Sequence, residues 1–312
     1  MSKPKVLALC GATASGKSAL AMALAQELNG EIVCMDSMQL YRRMDIGTAK
    51  PTPEERAQVP HHMLDILEPT ATYAVADYAL DAEKIICQIL SRGKLPMLVG
   101  GTGLYLKALM HGMELGGAGS DEALRRELNQ QALEIGGKER LHQRLKQADP
   151  ETAARLHPND IRRVIRAIEV YELTGKPLSQ QNQAQGDGPF EVLPLAIDMP
   201  RERLYRRLEE RVQGMMKAGL LAEVQALLES GVTAQCQSMQ GIGYKELIPV
   251  AMENAPLEDA VWQIILHTRH YAKRQNTWLR AEPQTRWLSA EQDLQAQAME
   301  HIRAFWKGRN NP

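Results

Sequence analysis

Three groups of residues have types and spacings that could act together chemically. Gly11-Ala12-Thr13-Ala14-Ser15-Gly16-Lys17-Ser18 completes the pattern G-x-x-x-x-G-K-[ST]. In such a loop the glycines let backbone N–H groups turn onto an oxyanion, and the following helix adds the positive end of its dipole. Lys17 supplies a point charge, and Ser18 supplies a hydroxyl that can reach Mg²⁺. The motif marks a polyphosphate and leaves open whether that is a nucleotide or another pyrophosphate ester. Asp36 closes an apolar run and is followed by Ser37, Met38 and Gln39. A carboxylate there can bind Mg²⁺ beside a phosphate loop or accept a proton as general base, and spacing does not choose between the two. The neighbouring amide suits a nucleobase edge, because Gln can pair bidentately with adenine. Thr102 follows Gly100-Gly101. Its hydroxyl can cap the helix that starts there, while the glycines permit close approach of a ligand.

The elements that must position these groups follow from hydrophobic patterning. Val6–Cys10, Glu31–Met35 and Leu95–Val99 are short apolar runs, each ending at one of the three polar turns. The segments 18–28 and 75–92 between them read as helices; in the second, Tyr78, Ala82, Ile85, Ile86 and Ile89 share one face. Strands alternating with helices predict an α/β fold, a P-loop-type parallel sheet flanked by helices, with ligands at the carboxyl ends of the strands. All three turns should then meet in one crevice. Beyond Gly112 the pattern changes. Glycine-rich and polar stretches at 116–120 and 180–189 bracket helical segments at 121–135, 138–148, 150–156 and 159–174. Residues 115–190 therefore read as a helical insertion domain, with 1–114 and 191–312 forming the catalytic core. Glu191–Met199 is apolar enough to rejoin the sheet. The C-terminal part reads as helical: Arg201–Gly231, a short helix after Gly241-Ile242-Gly243-Tyr244, a long helix through Arg280, and a solvated Gln/Ala-rich helix at the end.

Composition narrows the classes. The 312 residues are 44% hydrophobic and 24% charged, ordinary for a globular chain with one large core and an insertion. A formal net charge of −1 gives no global case for nucleic acid, so any such case must come from local patches. Cys10, Cys34, Cys87 and Cys236 form no C-x-x-C pair, which predicts free thiols in a reducing cytoplasm and no structural zinc site. The N-terminus does not resemble a signal peptide, and no apolar run reaches the roughly 18 residues of a membrane span. One local patch does stand out. His267–Arg280 carries Arg269, Lys273, Arg274 and Arg280 interleaved with Tyr271 and Trp278 and contains no acid, a composition suited to a phosphate backbone. Arg155, Arg162, Arg163 and Arg166 form a second basic face on the insertion, opposite Ile161, Val164, Ile165 and Ile168. Arg201, Arg203, Arg206 and Arg207 are diluted by Glu202, Glu209 and Glu210 and read as mostly structural.

Taken in order, G-A-T-A-S-G-K-S, D-S-M-Q-L-Y, V-G-G-T-G-L-Y, D-I-R-R-V-I-R-A-I-E-V-Y, G-I-G-Y-K-E and T-R-H-Y-A-K-R-Q-N-T-W resemble the bacterial tRNA dimethylallyltransferase family from residue 6 to about residue 280. The resemblance implies transfer of a dimethylallyl group from dimethylallyl diphosphate to the exocyclic amine of adenosine 37, in tRNAs reading codons that begin with U. It implies that Gly11–Ser18 hold the diphosphate, with Lys17 on the leaving oxygens and Mg²⁺ on Ser18. It further implies that Asp36 is the base, that Ser37, Met38 and Gln39 line the adenine pocket, and that Thr102 hydrogen-bonds the target base opposite Asp36. The tRNA anticodon stem-loop would be met by Arg125, by Asp160, Ile161, Arg162, Arg163 and Val164, by Gln240, Gly241, Ile242, Gly243, Tyr244 and Lys245, and by Arg269, Lys273 and Arg274. The enzyme is expected to act as a monomer away from membranes. Two positions depart from the family pattern: Ala12 stands where proline is common, and His270 where a polar amide is common. The competing readings are a small-molecule P-loop kinase using ATP and a transferase acting on free adenine nucleotides. The acid-free basic helix has no use in either.

Overall fold

The computed structural model describes residues 3–112, 119–181 and 188–307. The chain forms two compact units, one from Met1–Leu106 with Phe190–Pro312 and the other from Lys107–Pro189. The expected joints at 116–120 and 180–189 lie largely outside the described residues.

The first unit is built on a six-stranded sheet: β1 (Lys5–Cys10), β2 (Gly30–Met35), β3 (His61–His62), β4 (Leu95–Gly100), β5 (Glu191–Asp198) and β6 (Arg286–Ser289). The order is β3-β2-β4-β1-β5-β6, and every pairing is parallel. β1, β2 and β4 are buried along nearly their whole length, as strands covered by helices on both faces must be. From β1 the chain crosses to β2 on one side and much later returns to β5 on the other. The carboxyl end of β1 is therefore a topological switch point, where open α/β sheets bind ligands.

Helix α1 (Lys17–Glu27) follows β1, α2 (Pro53–Gln58) follows β2, α3 (Val75–Ser91) precedes β4, and α4 (Gly103–His111) follows β4. Leu20, Ala21, Leu24 and Ala25 of α1 pack on Leu7, Leu9, Ile32 and Met97 of the sheet. The second unit contains α5 (Glu122–Leu133), α6 (Gly137–Ala148), α7 (Pro150–Arg155), α8 (Ile161–Thr174) and α9 (Leu178–Gln181) around a core that includes Leu128, Leu141, Leu145, Val164, Ile165 and Ile168. After β5 come α10 (Arg201–Lys217), α11 (Leu220–Glu229), α12 (Tyr244–Glu253), α13 (Leu257–Ala281) and α14 (Leu294–Lys307). α10 to α13 share a second core around Val212, Leu220, Val224, Leu247 and Ile264, into which Tyr41 and Met44 also insert.

Three details differ from the patterning. β3 and β6 are two and four residues long and lack an apolar run, so neighbouring strands rather than local sequence make them strands. The helical stretch 201–231 breaks at Gly219, whose φ of 101° suits glycine and starts α11 afresh. The C-terminal helix is not simply solvated: Ala298 and Ile302 of α14 join the sheet core beside α1, with Phe305 and Trp306 packed against it.

Candidate active site

The loop after β1 takes a path that only some residues allow. Gly11 and Gly16 have φ of 143° and 101°, and Ala14 between them has φ of 63°, so the loop bends through left-handed positions at three places. A Cβ on Gly11 would lie 2.9 Å from Ser15 Oγ. Ser15 Oγ is buried and has no hydrogen-bond partner among the described residues. The loop does not turn all its residues toward one ligand. Ala12 is buried against Met199, Leu204, Leu208 and Ala272, while Thr13, Lys17 and Ser18 line a cavity of about 220 Å³.

That cavity is the first of two chambers. Its other walls include Asp36, Gln39, Thr48, Lys50, Gly100 and Arg211. The second, of about 320 Å³, is lined by Ser37, Met38, Met215, Gln240–Lys245, Ile264, Thr268, Tyr271 and Arg274. Thr13, Asp36, Thr48 and Arg211 line both, so the two spaces meet where the acid stands. Asp36 Oδ1 accepts the Met38 N–H at 2.9 Å, which fixes the carboxylate at the end of β2. Oδ2 has no hydrogen-bond partner among the described residues.

Charge is concentrated on the first chamber. Burial, reinforced by the Arg211 guanidinium, lowers the Lys17 ammonium to about 8, and Asp36 partly opposes that shift. Burial also draws the Arg211 pKa down, with Asp36 again opposing. Two cations withdrawn from water beside one carboxylate form a site that a multivalent anion would relieve. Arg211 was not singled out by the sequence because R-R-L-E-E-R-V reads as an ordinary charged helix. The available signal was spacing: Arg207 and Arg211 are one turn apart on α10. Arg207 Nη2 lies 3.9 Å from where a Cβ on Gly16 would stand, so Arg207 is not remote from the loop either. Lys50 contributes no free charge, since its buried Nζ binds Tyr41 O, Asp45 and Asp65 at 2.5–2.7 Å.

Thr102 does not cap α4 with its hydroxyl. Its carbonyl takes the Tyr105 and Leu106 N–H groups, while Oγ1 accepts the Ser37 N–H at 3.2 Å. Thr102 thus braces the turn after Asp36 but lines neither chamber. Burial raises the Tyr271 hydroxyl well above the usual phenol range, so it is neutral when it faces the second chamber. Gln39 departs from its expected role at a base edge. Its amide donates to Thr48 O at 3.0 Å and Ala49 O at 3.2 Å and accepts from Cys34 Sγ at 3.1 Å, holding the 48–50 loop at the wall of the first chamber.

The structure divides the residues expected to meet tRNA. Gln240–Lys245 border the second chamber, but the Tyr244 ring is core: it is 1% exposed, its hydroxyl donates to Glu223 at 2.6 Å, and a Cβ on Gly47 would strike it at 2.5 Å. On α13, Arg269 is bonded to Glu209 of α10 and stacked over Tyr205 at 5.0 Å. The stripe that lacks acids in sequence is therefore partly neutralised by its neighbours. Lys273 and Arg274 have no carboxylate partner among the described residues, and Arg274 lies 5.7 Å over Tyr271 at the second chamber. In the second unit, Arg125 makes two contacts of 2.8 and 3.0 Å with the fully buried Glu169, which Arg166 also binds at 2.7 Å. Its guanidinium neutralises a buried acid, and its side chain stays partly exposed. Val164 is fully buried and Ile161 packs on the same core, so those two offer RNA at most their backbone. Arg162 and Arg163 are exposed, with Arg163 bonded to Asp160 at 2.9 Å.

The geometry defines a parallel α/β enzyme in which an anion-binding loop and a second, partly apolar chamber open onto one carboxylate. Comparison with known proteins gives that class a family. The family described as IPP transferase matches residues 39–282, and the one described as Isopentenyl transferase matches residues 4–68. The chain is 50% identical to tRNA dimethylallyltransferase 1 of Trichlorobacter lovleyi, covering 92% of this chain and 94% of the relative. It is 48% identical to the tRNA dimethylallyltransferase of Pelotomaculum thermopropionicum over 96% of each. The crystal structure of the Bacillus halodurans tRNA isopentenylpyrophosphate transferase superposes with a TM-score of 0.72 at 42% identity, covering 98% of this chain and 96% of that one. A eukaryotic dimethylallyltransferase acting on tRNA superposes with a TM-score of 0.80 at 30% identity, covering 98% and 80%. The chain belongs to the tRNA dimethylallyltransferase family.

Proposed function

We propose that this enzyme transfers the dimethylallyl group of dimethylallyl diphosphate to the exocyclic amine of adenosine 37 in tRNAs that read UNN codons. The observation that carries the reading is the meeting of the two chambers at Asp36: a cationic one for the diphosphate, and a larger one, lined by Met38, Met215, Ile242 and Tyr271, for the base. The bond from N6 to the allylic C1 forms as the C1–O bond breaks, the N6 proton passes to Asp36, and diphosphate leaves. An adenine amine is a weak nucleophile because its lone pair is delocalised into the ring, so a base within reach lowers the barrier. Lys17, Arg211 and the loop N–H groups stabilise the charge that gathers on the leaving oxygens. The phosphate loop thus holds a leaving group and transfers no phosphoryl group.

Mg²⁺ suits this site. Ser18 and Asp36 both line the first chamber, and Mg²⁺ takes few protein ligands when phosphate oxygens and water complete its shell. Bound there, Mg²⁺ would neutralise leaving-group charge. To enter the second chamber the base must leave the anticodon-loop stack, which costs little in a single-stranded loop. Lys273, Arg274 and the rim at 240–245 would track the RNA backbone, and the exposed arginines of the insertion would add contacts. No helix among the described residues is long and apolar enough to cross a membrane. We take the enzyme to act as a cytoplasmic monomer.

The test is mass analysis of unmodified tRNA after incubation with protein, Mg²⁺ and dimethylallyl diphosphate, with AMP and ATP as parallel substrates. A mass gain of one dimethylallyl group at the base 3′ of the anticodon supports the reading. Prenylation of AMP alone, or phosphate transfer from ATP with tRNA unchanged, would replace it.

A further inference from the structure

We infer that Gln275 is a positioning residue that clips the two glycine-rich loops of the site together and holds them to the RNA-facing helix. Gln275 lies on α13 with its side chain 7% exposed, and both ends of its amide are engaged. Oε1 accepts the Thr13 N–H at 2.9 Å, and Nε2 donates to Gly101 O at 3.0 Å. One side chain thereby joins the anion loop after β1 to the loop after β4, across 262 and 174 residues of sequence respectively. Tyr271 lies one turn earlier on the same helix and lines the second chamber.

Two consequences follow. The Thr13 N–H is turned toward α13 and is no part of the anion cradle, while the residue itself stays at the junction of the chambers. The second loop, in turn, is built to admit the amide. A Cβ on Gly101 would fall 1.9 Å from Gln275 Nε2 and 3.1 Å from its Cδ, with Gly11 O beyond at 3.5 Å, so it is Gln275 that the glycine makes room for. Gly101 is not among the residues with positive φ, so its backbone accepts a side chain. Lys273 and Arg274 flank the clip on the same helix. A load placed on α13 by RNA therefore reaches Thr13 and the Gly101–Thr102 peptide through the hydrogen bonds of one amide, beside the apolar packing of Ala272 on Ala12.

This inference rests on the prenyl-transfer reading, and its test keeps the two separable. Gln275→Ala removes the clip, Gly101→Ala displaces the amide without touching it, and the double variant places the new methyl where the amide no longer stands. Single-turnover prenylation with both substrates saturating should fall at least tenfold in each single variant, because small misplacement of reacting groups is costly. Inorganic pyrophosphate should bind at least threefold more weakly, and tRNA affinity should stay within about twofold. The double variant should be no worse than Gln275→Ala alone, the non-additivity expected of one shared contact. Gln275→Glu should regain rate relative to the unaltered enzyme as pH falls, because a protonated carboxyl again offers one donor and one acceptor. The titratable side chain one turn away on α13, Tyr271, stays neutral throughout that range. Full rate and pyrophosphate affinity in Gln275→Ala, or an additive penalty in the double variant, would overturn the clip. Equal proportional losses of rate, tRNA affinity and folded protein would also overturn it, by making Gln275 merely structural. If the unaltered enzyme left tRNA unmodified, the prenylation reading would fail, and pyrophosphate affinity would still decide the clip.

Discussion

Replacing Lys17 with methionine should stabilise the protein while disabling it. The Lys17 ammonium is lowered from 10.5 to about 8 by burial and by Arg211. Folding therefore disfavours its charged form by an amount on the order of 3 kcal/mol. The sign follows from linkage. Below pH 8 the lysine is charged in folded and unfolded chains alike, and the full penalty opposes folding. Between pH 8 and 10.5 the folded state is neutral there while the unfolded chain still carries the proton, so the penalty fades as pH rises. Methionine keeps an unbranched stem against the chamber wall, and the ammonium it removes makes one weak hydrogen bond among the described residues, to Ala12 O at 3.4 Å. At pH 7 the variant should melt several degrees higher, at roughly 2–4 °C per kcal/mol for a large domain. The gap should close toward pH 10, and other titrating groups cancel because they are common to both proteins. Inorganic pyrophosphate should add about 2.7 kcal/mol to the unaltered enzyme at a hundred times its dissociation constant, and almost nothing to the variant. Thermal melts at pH 7 and pH 10, with and without pyrophosphate, provide the assay. A variant that melts lower at pH 7, or a gap that does not change with pH, would refute the claim that the site holds a destabilising charge in readiness for an anion.

Further outcomes follow from the same geometry. Pyrophosphate affinity of the unaltered enzyme should fall as pH rises through 8, where free Lys17 loses its proton, and titration calorimetry at pH 7 should show less proton uptake than at pH 8; a pH-independent affinity would remove Lys17 from the cradle. Arg211→Gln should raise the KM for dimethylallyl diphosphate at least tenfold while leaving tRNA affinity within twofold, as steady-state kinetics and filter binding would show. The logarithmic salt slope of tRNA binding should fall by about 1.4 when Lys273 and Arg274 are both replaced by alanine, at roughly 0.7 per single-strand phosphate contact. Arg269→Ala should change that slope little, because Glu209 already balances its charge. Glu169→Gln should loosen the second unit by removing the negative charge that Arg125 and Arg166 share, seen as faster amide exchange within 121–174 and unchanged protection of the sheet.

What the sequence discloses here is whatever is local. β1, β2 and β4 are unbroken apolar runs next to polar turns, and the loop motif, Asp36 and Thr102 stand at their ends, so the crevice could be placed before any coordinate was known. What escaped is what depends on distant partners. Arg211 looks like one charge among many on α10 until the fold turns it into the first chamber. Gln275 looks like a polar interruption on the apolar face of α13 until two loops arrive at its amide. The stretch 267–280 contains no acid along the chain, yet Glu209 and Glu246 reach Arg269 and His267 from other helices. Gln39 shows the same limit over a short range: an amide suited to a base edge is fully engaged by Cys34 and by carbonyls nine and ten residues away. Short strands such as β3 and β6 take their conformation from the sheet edges they complete, and their own residues give little sign of it.

The central claim is that Asp36, at the meeting of the two chambers, takes the proton from the attacking amine. Its most direct test is the single-turnover rate of Asp36→Asn with prebound unmodified tRNA and saturating dimethylallyl diphosphate. The side chain keeps its shape and can still accept the Met38 N–H, so the account predicts a rate lowered by 10²–10⁴, the usual range for a lost general base, with tRNA and pyrophosphate affinities nearly unchanged. A variant that prenylates at the original rate, or one that loses substrate affinity in place of rate, would contradict it.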